Sequence, residues 1–152
     1  MICVIQRVSQ ASVEVAGQVV GQISRGLVVL AAVHNGDTDD DIDWTARKLA
    51  SLRLFPKEDR NLDQDVTQAV GSILLVSNFT VAADCRKGRR PTLEAAADPA
   101  TGRQRFDALI AAVRALGVPT QTGQFGADMQ VALVNDGPVT LLLDSRARAS
   151  LS

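Results

Sequence analysis

Tyrosine is absent from this chain and aromatic residues make up only 3% of it, so its core must rest on Val, Leu, Ile and Ala. Histidine occurs once, as His34, at the expected end of a strand. A His-dependent triad would need that residue, and no G-x-S-x-G elbow is present to accompany it. The two cysteines, Cys3 and Cys85, give neither a disulfide framework nor, with a single histidine, a zinc-ligand set. Reduced thiols in a cytosolic setting are the simpler reading. No phosphate-binding G-x-x-x-x-G-K-[ST] loop occurs, and no G-x-G-x-x-G follows a strand. The longest apolar run, Leu27 to Val33, is only strand length, and Gln6 and Arg7 interrupt the N-terminal apolar stretch. Neither reads as a membrane span or a signal peptide. A soluble, cytoplasmic protein without metal or cofactor is expected. The net charge of −1 supplies no global field for nucleic acid, so any RNA contact must be local.

What is present fits one domain. The chain has 152 residues, 46% hydrophobic and 22% charged, enough for a single core. Residues 2–8 are rich in β-branched types, and 12–23 read as a hairpin turning at Gly17. Gly26 opens a buried strand, Leu27–His34, which Asn35-Gly36-Asp37 ends. Asp39, Asp40, Asp41 and Asp43 precede apolar positions at helical spacing, predicting a helix over 39–52. The acidic run suits a helix start better than a metal cluster. Residues 56–70 read as a polar loop, and Ser72–Val76 as a second buried strand. The stretch 84–98 reads as an exposed loop. Asp98-Pro99 supplies an N-cap and first-turn proline for a second helix that Gly117 ends, with Phe106, Leu109, Ile110 and Val113 inward. Two further strands, about 129–134 and 139–143, flank Asn135-Asp136-Gly137-Pro138. The expectation is a single α+β domain over 1–144, mainly antiparallel β-sheets forming a barrel-like core with two principal helices. Residues 145–152 are expected to be a frayed tail.

Two segments depart from this plain background. Ser77-Asn78-Phe79-Thr80 is a polar break directly after an apolar strand, and Asn135-Asp136-Gly137-Pro138-Val139-Thr140 sets a Gly-Pro pair between strands. Together they resemble the signature motifs of the D-aminoacyl-tRNA deacylase family, which usually read S-Q-F-T and N-x-G-P-x-T. The opening MICVIQRVSQASVEV, GLVVLAAV, RRP at 89–91 and TGQFGADMQVALVNDGPVT at 122–140 resemble that family in the same order, up to about residue 144. Asn78 is a departure, one methylene shorter than glutamine but with the same amide groups.

The resemblance implies an editing hydrolase that proofreads translation by cleaving the ester of D-aminoacyl-tRNA. It implies a homodimer in which Gly137 and Pro138, with their peptide bond cis, enter the partner's site and reject L substrates by exclusion. Glycine has no side chain to exclude, so glycyl-tRNA, mischarged on tRNA(Ala), is expected to be cleaved too. By the same resemblance Arg7 braces the Gly-Pro loop through carbonyl hydrogen bonds; the alternative is a surface or dimer-interface arginine. Ser77, Asn78, Phe79 and Thr80 would line the ester, with backbone N–H groups near Phe79 serving the oxyanion. Thr80 is a candidate nucleophile without an evident base, and the substrate's ribose hydroxyl is the better assistant for water. Phe125 and Met129 either pack on the terminal adenine or belong to the core. Arg86, Lys87, Arg89 and Arg90 either meet tRNA phosphates or form a solvated loop. The rival readings are a non-catalytic nucleic-acid-binding module of this fold and a general esterase using Thr80 or His34.

Overall fold

The computed structural model describes residues 1–148. Its strands are β1 (Ile2–Val15), β2 (Gln18–Ile23), β3 (Gly26–Ala32), β4 (Phe55–Lys57), β5 (Arg60–Gln64), β6 (Ser72–Ser77), β7 (Thr120–Thr122) and β8 (Gln130–Asp144). Helix α1 spans Asp39–Ser51 and α2 spans Pro99–Ala115, with short 3-10 turns at Phe79–Ala82 and Ser145–Ala147.

β1 organises the sheet. Its first half pairs with β3 and its second half with β2, both antiparallel, while β8 runs antiparallel along its other edge. Register shifts against β8 between Gln6 and Val8 and between Val8 and Gln10 bend the strand there. The buried side changes with the bend. Cys3 and Ile5 join the core cluster beneath the helices, whereas Val8, Ala11 and Val13 join a second cluster inside the curl of the sheet. β3 and β6 contribute to both: Leu27, Val29, Ile73 and Leu75 face the helices, and Val28, Leu74 and Val76 face the curl. Burial on both faces explains the unbroken apolar runs that give no alternation.

The sheet order is β2-β1-β3-β6-β7, and the ends of this path come together. A Cβ on Gly21 of β2 would lie 2.3 Å from the Thr122 carbonyl oxygen of β7. Glycine there lets the two backbones touch and nearly closes the barrel. The α+β fold with a barrel-like core and two principal helices is thus as expected, with one refinement. β3, β6 and β7 are mutually parallel, joined through α1 and α2 as crossovers.

The helices begin where local chemistry places them. Thr38 precedes α1, with its N–H and hydroxyl both donating to the Asp41 carboxylate at 2.9 and 2.8 Å. Burial pushes the Asp41 carboxyl up, but these bonds prevail and bring it down to about 2. Asp98 caps α2 by accepting from the Ala100 and Thr101 N–H groups at 3.0 and 3.1 Å. Phe106, Leu109 and Val113 are buried and Ile110 is half-buried. Among the described residues no helix is long and apolar enough to cross a membrane.

Three expectations change, and one strand is added. The polar loop over 56–70 contains the β4–β5 hairpin. β7 lies in a stretch with no strand signal of its own. The two strands flanking Asn135–Pro138 are one long β8 that bulges past β1. The tail is not frayed over 145–148. Ser145 is fully buried, its hydroxyl accepts from the Met1 ammonium at 2.7 Å, and its N–H donates to the Met1 carbonyl at 2.9 Å. That ammonium also bonds Asp37 at 2.5 Å, so a buried charge pair anchors the segment. The rest of the expected tail, 149–152, lies outside the described residues.

Candidate active site

β6 carries an apolar run to Val76 and then meets Ser77-Asn78, where the chain leaves the sheet. The Asn78 N–H donates to the Ala31 carbonyl at 2.8 Å, fixing this exit against the end of β3. A 3-10 turn follows from Phe79. The first N–H groups of a helical turn have no partner within it, and here they belong to Phe79 and Thr80. Beside this exit lies a cavity of about 440 Å³. Its walls include Ser77, Asn78 and Phe79, the start of α2 at Asp98, Pro99 and Gly102, and Phe106, Phe125 and Met129.

Asn78 and Thr80 are engaged with each other. The Thr80 hydroxyl donates to the Asn78 amide oxygen at 2.5 Å, and an amide oxygen is no base for activating a nucleophile. Phe79 is well exposed. Two glycines shape the opposite wall. A Cβ on Gly123 would sit 2.7 Å from the Met129 sulfur, and one on Gly102 would touch the Phe125 ring at 3.5 Å. Both Phe125 and Met129 are half-buried, packing inward while still lining the cavity.

A second group forms around Gly137 and Pro138. Arg7 is buried, at 8% exposure. Its Nε donates to the Asp136 carbonyl at 2.8 Å, and one terminal nitrogen donates to the carbonyls of Leu54 at 2.7 Å and Asn61 at 3.4 Å. A fixed guanidinium fork thus ties β1, the β4–β5 hairpin and the loop together. Asn135 closes the loop from within. Its amide nitrogen donates to the Val139 carbonyl at 3.0 Å, and its amide oxygen accepts from the Val139 N–H at 3.1 Å. The same nitrogen reaches the Gln6 amide oxygen at 3.0 Å. The Gly137-Pro138 peptide is cis, and both residues are exposed. Neither they nor Arg7 line the 440 Å³ cavity of their own chain.

The basic loop is uneven. Two guanidinium nitrogens of Arg86 donate to both oxygens of the Asp84 carboxylate, and they hold that carboxyl down at about 2. Lys87, Arg89 and Arg90 are exposed with no ion pair within the described residues. His34 is buried beside Arg146, whose guanidinium nitrogen lies 3.1 Å from Nδ1. Burial first, and then the Arg146 charge, push its pKa down. It does not line the cavity. Burial pushes the Cys3 thiol up to about 12, so it is no nucleophile. Among the described residues no three of His, Cys, Asp and Glu gather as a metal site.

The structure therefore sorts the predicted residues into two sets, apart from Arg86, Lys87, Arg89 and Arg90 on the basic loop. Ser77, Asn78, Phe79, Phe125 and Met129 share the cavity wall, with Thr80 bonded to that wall. Arg7, Gly137 and Pro138 share the braced loop. Sequence reasoning gave no role to Asn135, although it stands in the motif, or to Gln6 beside Arg7. It also missed the α2 start as a wall, which the Asp98-Pro99 cap signal placed without saying what it faced.

Comparison with known proteins bears on family and fold. The profile of the family described as D-Tyr-tRNA(Tyr) deacylase matches residues 4–144. A D-aminoacyl-tRNA deacylase of Geobacter sulfurreducens is 50% identical over 150 residues, covering 99% of each chain. One from Desulfitobacterium hafniense is 51% identical over 142 residues, covering 93% of this chain and 95% of its own. Among solved structures, one named c-Myc DNA Unwinding Element Binding Protein superposes with a TM-score of 0.89 at 33% identity, covering 95% of this chain and 98% of its own. A probable eukaryotic D-amino acid tRNA deacylase superposes with a TM-score of 0.78 at 17% identity, covering 93% and 97%, which speaks to fold alone.

Proposed function

The chain belongs to the D-Tyr-tRNA(Tyr) deacylase family and is a hydrolase acting on D-aminoacyl-tRNA, and from that premise we propose how it judges handedness. Two copies assemble, and the Gly137-Pro138 loop of each enters the cavity of the other. The loop's main-chain carbonyls receive the substrate's α-ammonium, and its backbone fills the space that an L side chain requires. One observation carries this reading: the loop is exposed and braced by Arg7 and Asn135, yet stands apart from the cavity of its own chain.

The chemistry follows from what the cavity offers. No histidine lines it and its Asp98 carboxylate is engaged in capping α2, so water attacks the ester carbonyl with help from the neighbouring ribose hydroxyl. The Phe79 and Thr80 N–H groups hold the developing oxyanion. Phe125 and Met129 receive the terminal adenine. Lys87, Arg89 and Arg90 meet phosphates, a contact that adds affinity without sequence choice. The enzyme works in the cytoplasm, where charged tRNA is used. Because the filter acts on side-chain direction, glycyl-tRNA is released as well.

The test compares amino-acid release from D-tyrosyl-, L-tyrosyl- and glycyl-tRNA by the purified protein. Fast release from the first and third with resistance of the second is expected; equal rates for the two mirror-image esters would overturn the filter. Sharing of sites is read by mixing subunits. Gly137→Val and Phe79→Pro proteins, the second lacking the Phe79 N–H, should each be inactive and recover about a quarter of the parent rate when randomly paired, since half the pairs carry one whole site. The 33%-identical neighbour is named for binding a DNA unwinding element, which favours a second reading, a nucleic-acid-binding module. Binding of D-tyrosyl-tRNA without release would select it.

A further inference from the structure

Phe125 sits in a stretch without regular structure between β7 and β8, where a half-buried ring would ordinarily exchange rotamers. Its position is nevertheless determined from one helix. The Arg103 guanidinium carbon stands 4.8 Å from the ring centroid, and one of its terminal nitrogens donates to the Phe125 carbonyl at 3.3 Å. Gly102 leaves room for the ring edge at 3.5 Å. Phe106, one turn further along α2, meets the ring at 6.1 Å between centroids with an interplanar angle of 45°. Arg103 is exposed and does not itself line the cavity, whereas Phe125, Gly102 and Phe106 do.

We propose that Arg103 is a positioning residue for substrate binding, acting through Phe125. Its flat cation rests over the ring and its N–H holds the ring's own main chain, so side chain and backbone are fixed by the same group. The inference rests on the reading that Phe125 receives the terminal adenine. A base gains most from a wall already in place, because ordering a side chain on binding costs affinity. Phe125 is not among the groups assigned to the ester, so the effect falls on KM and not on kcat.

The experiment is steady-state deacylation of D-tyrosyl-tRNA by the full protein and by Arg103→Met, Arg103→Lys, Phe125→Leu and the Arg103→Met/Phe125→Leu double variant. Thermal melts confirm folding, and the exposed helical position accepts Met and Lys without strain. Arg103→Met should raise KM roughly threefold to tenfold with kcat little changed, the range expected for losing one stacked cation and its bond. Arg103→Lys, which keeps the charge without the planar fork, should recover part of the loss. In the Phe125→Leu background Arg103→Met should add almost nothing, as for two residues in one unit. Independent, multiplying effects would overturn the proposal in favour of a direct Arg103–phosphate contact. An unchanged KM in Arg103→Met beside a raised one in Phe125→Leu would overturn it alone. An unchanged KM in Phe125→Leu would overturn both this inference and the adenine reading beneath it.

Discussion

Arg7→Met keeps the aliphatic stem and removes every donor of the fork. Its partners differ in what they lose. Leu54 is 4% exposed, so its carbonyl loses a 2.7 Å charged donor with little water to replace it. Such a loss is worth about 1.5–3 kcal/mol. Asp136 is partly exposed, so water largely replaces the 2.8 Å bond to its carbonyl, and its 3.2 Å ion pair adds only about 0.2–1 kcal/mol. The contact to Asn61 at 3.4 Å is long and adds little. Against these stands relief from burying a cation, which methionine does not require. The net loss is then about 2–3 kcal/mol, or a melting point lower by roughly 4–12 °C for a domain of this size. Activity should suffer separately, because the Asp136 carbonyl is the anchor next to Gly137. At 25 °C, with the variant folded, kcat/KM for D-tyrosyl-tRNA should fall at least about tenfold, equivalent to 1.4 kcal/mol of lost positioning. Circular-dichroism melts and the deacylation assay read the two effects. Asp136→Ala is the control, since it keeps the carbonyl acceptor and should cost less than about 1 kcal/mol. If Arg7→Met melts within about 2 °C of the parent, or Asp136→Ala costs as much, the brace has been misread.

Three further outcomes follow. Gly21→Ala places a methyl 2.3 Å from the Thr122 carbonyl oxygen, so the β2–β7 closure must open. A loss of about 1–3 kcal/mol in urea unfolding is expected, and an unchanged midpoint would contradict the closure. The depressed His34 pKa means that the unfolded chain takes up a proton, as pH falls through about 6.5, that the folded chain refuses. Stability is therefore full above that range and declines on acidification. His34→Gln should flatten the slope of melting temperature between about pH 7.5 and 5.5, and an identical slope would remove His34 as its source. Thr80→Ala should retain turnover within about tenfold, because the hydroxyl donates to an amide and has no base. Abolished turnover in a folded protein would make Thr80 the nucleophile.

How much was legible in the sequence depended on the distance over which each feature is encoded. The start and end of α2 follow from Asp98-Pro99 and Gly117, all within the segment they delimit, and the structure places them there. β3 and β6 announce themselves by apolar runs, and the polar break at Ser77-Asn78 coincides with the exit from the sheet. β7 could not be read this way. Thr120, Gln121 and Thr122 become a strand only because Ile73, Leu74 and Leu75 pair with them from far along the chain. The anchoring of Ser145 depends on the Met1 ammonium, 144 positions away. The cavity was legible by its motif side and, through the resemblance, by Phe125 and Met129. Its other walls face it because α2 crosses the sheet, a packing fact with no local signature, whereas Phe125 and Met129 owe their positions to room left by Gly102 and Gly123.

The reciprocal amide bonds between Asn135 and Val139 have a consequence for assembly. They close the bulge of β8 with contacts drawn from its own strand, independently of anything outside the chain. A protrusion whose outline is settled in the lone subunit surrenders little freedom on docking, so more of the contact energy survives as affinity. In the proposed dimer, shape would thereby be decided before encounter, and the cavity accepting the bulge would have only to match a form already set.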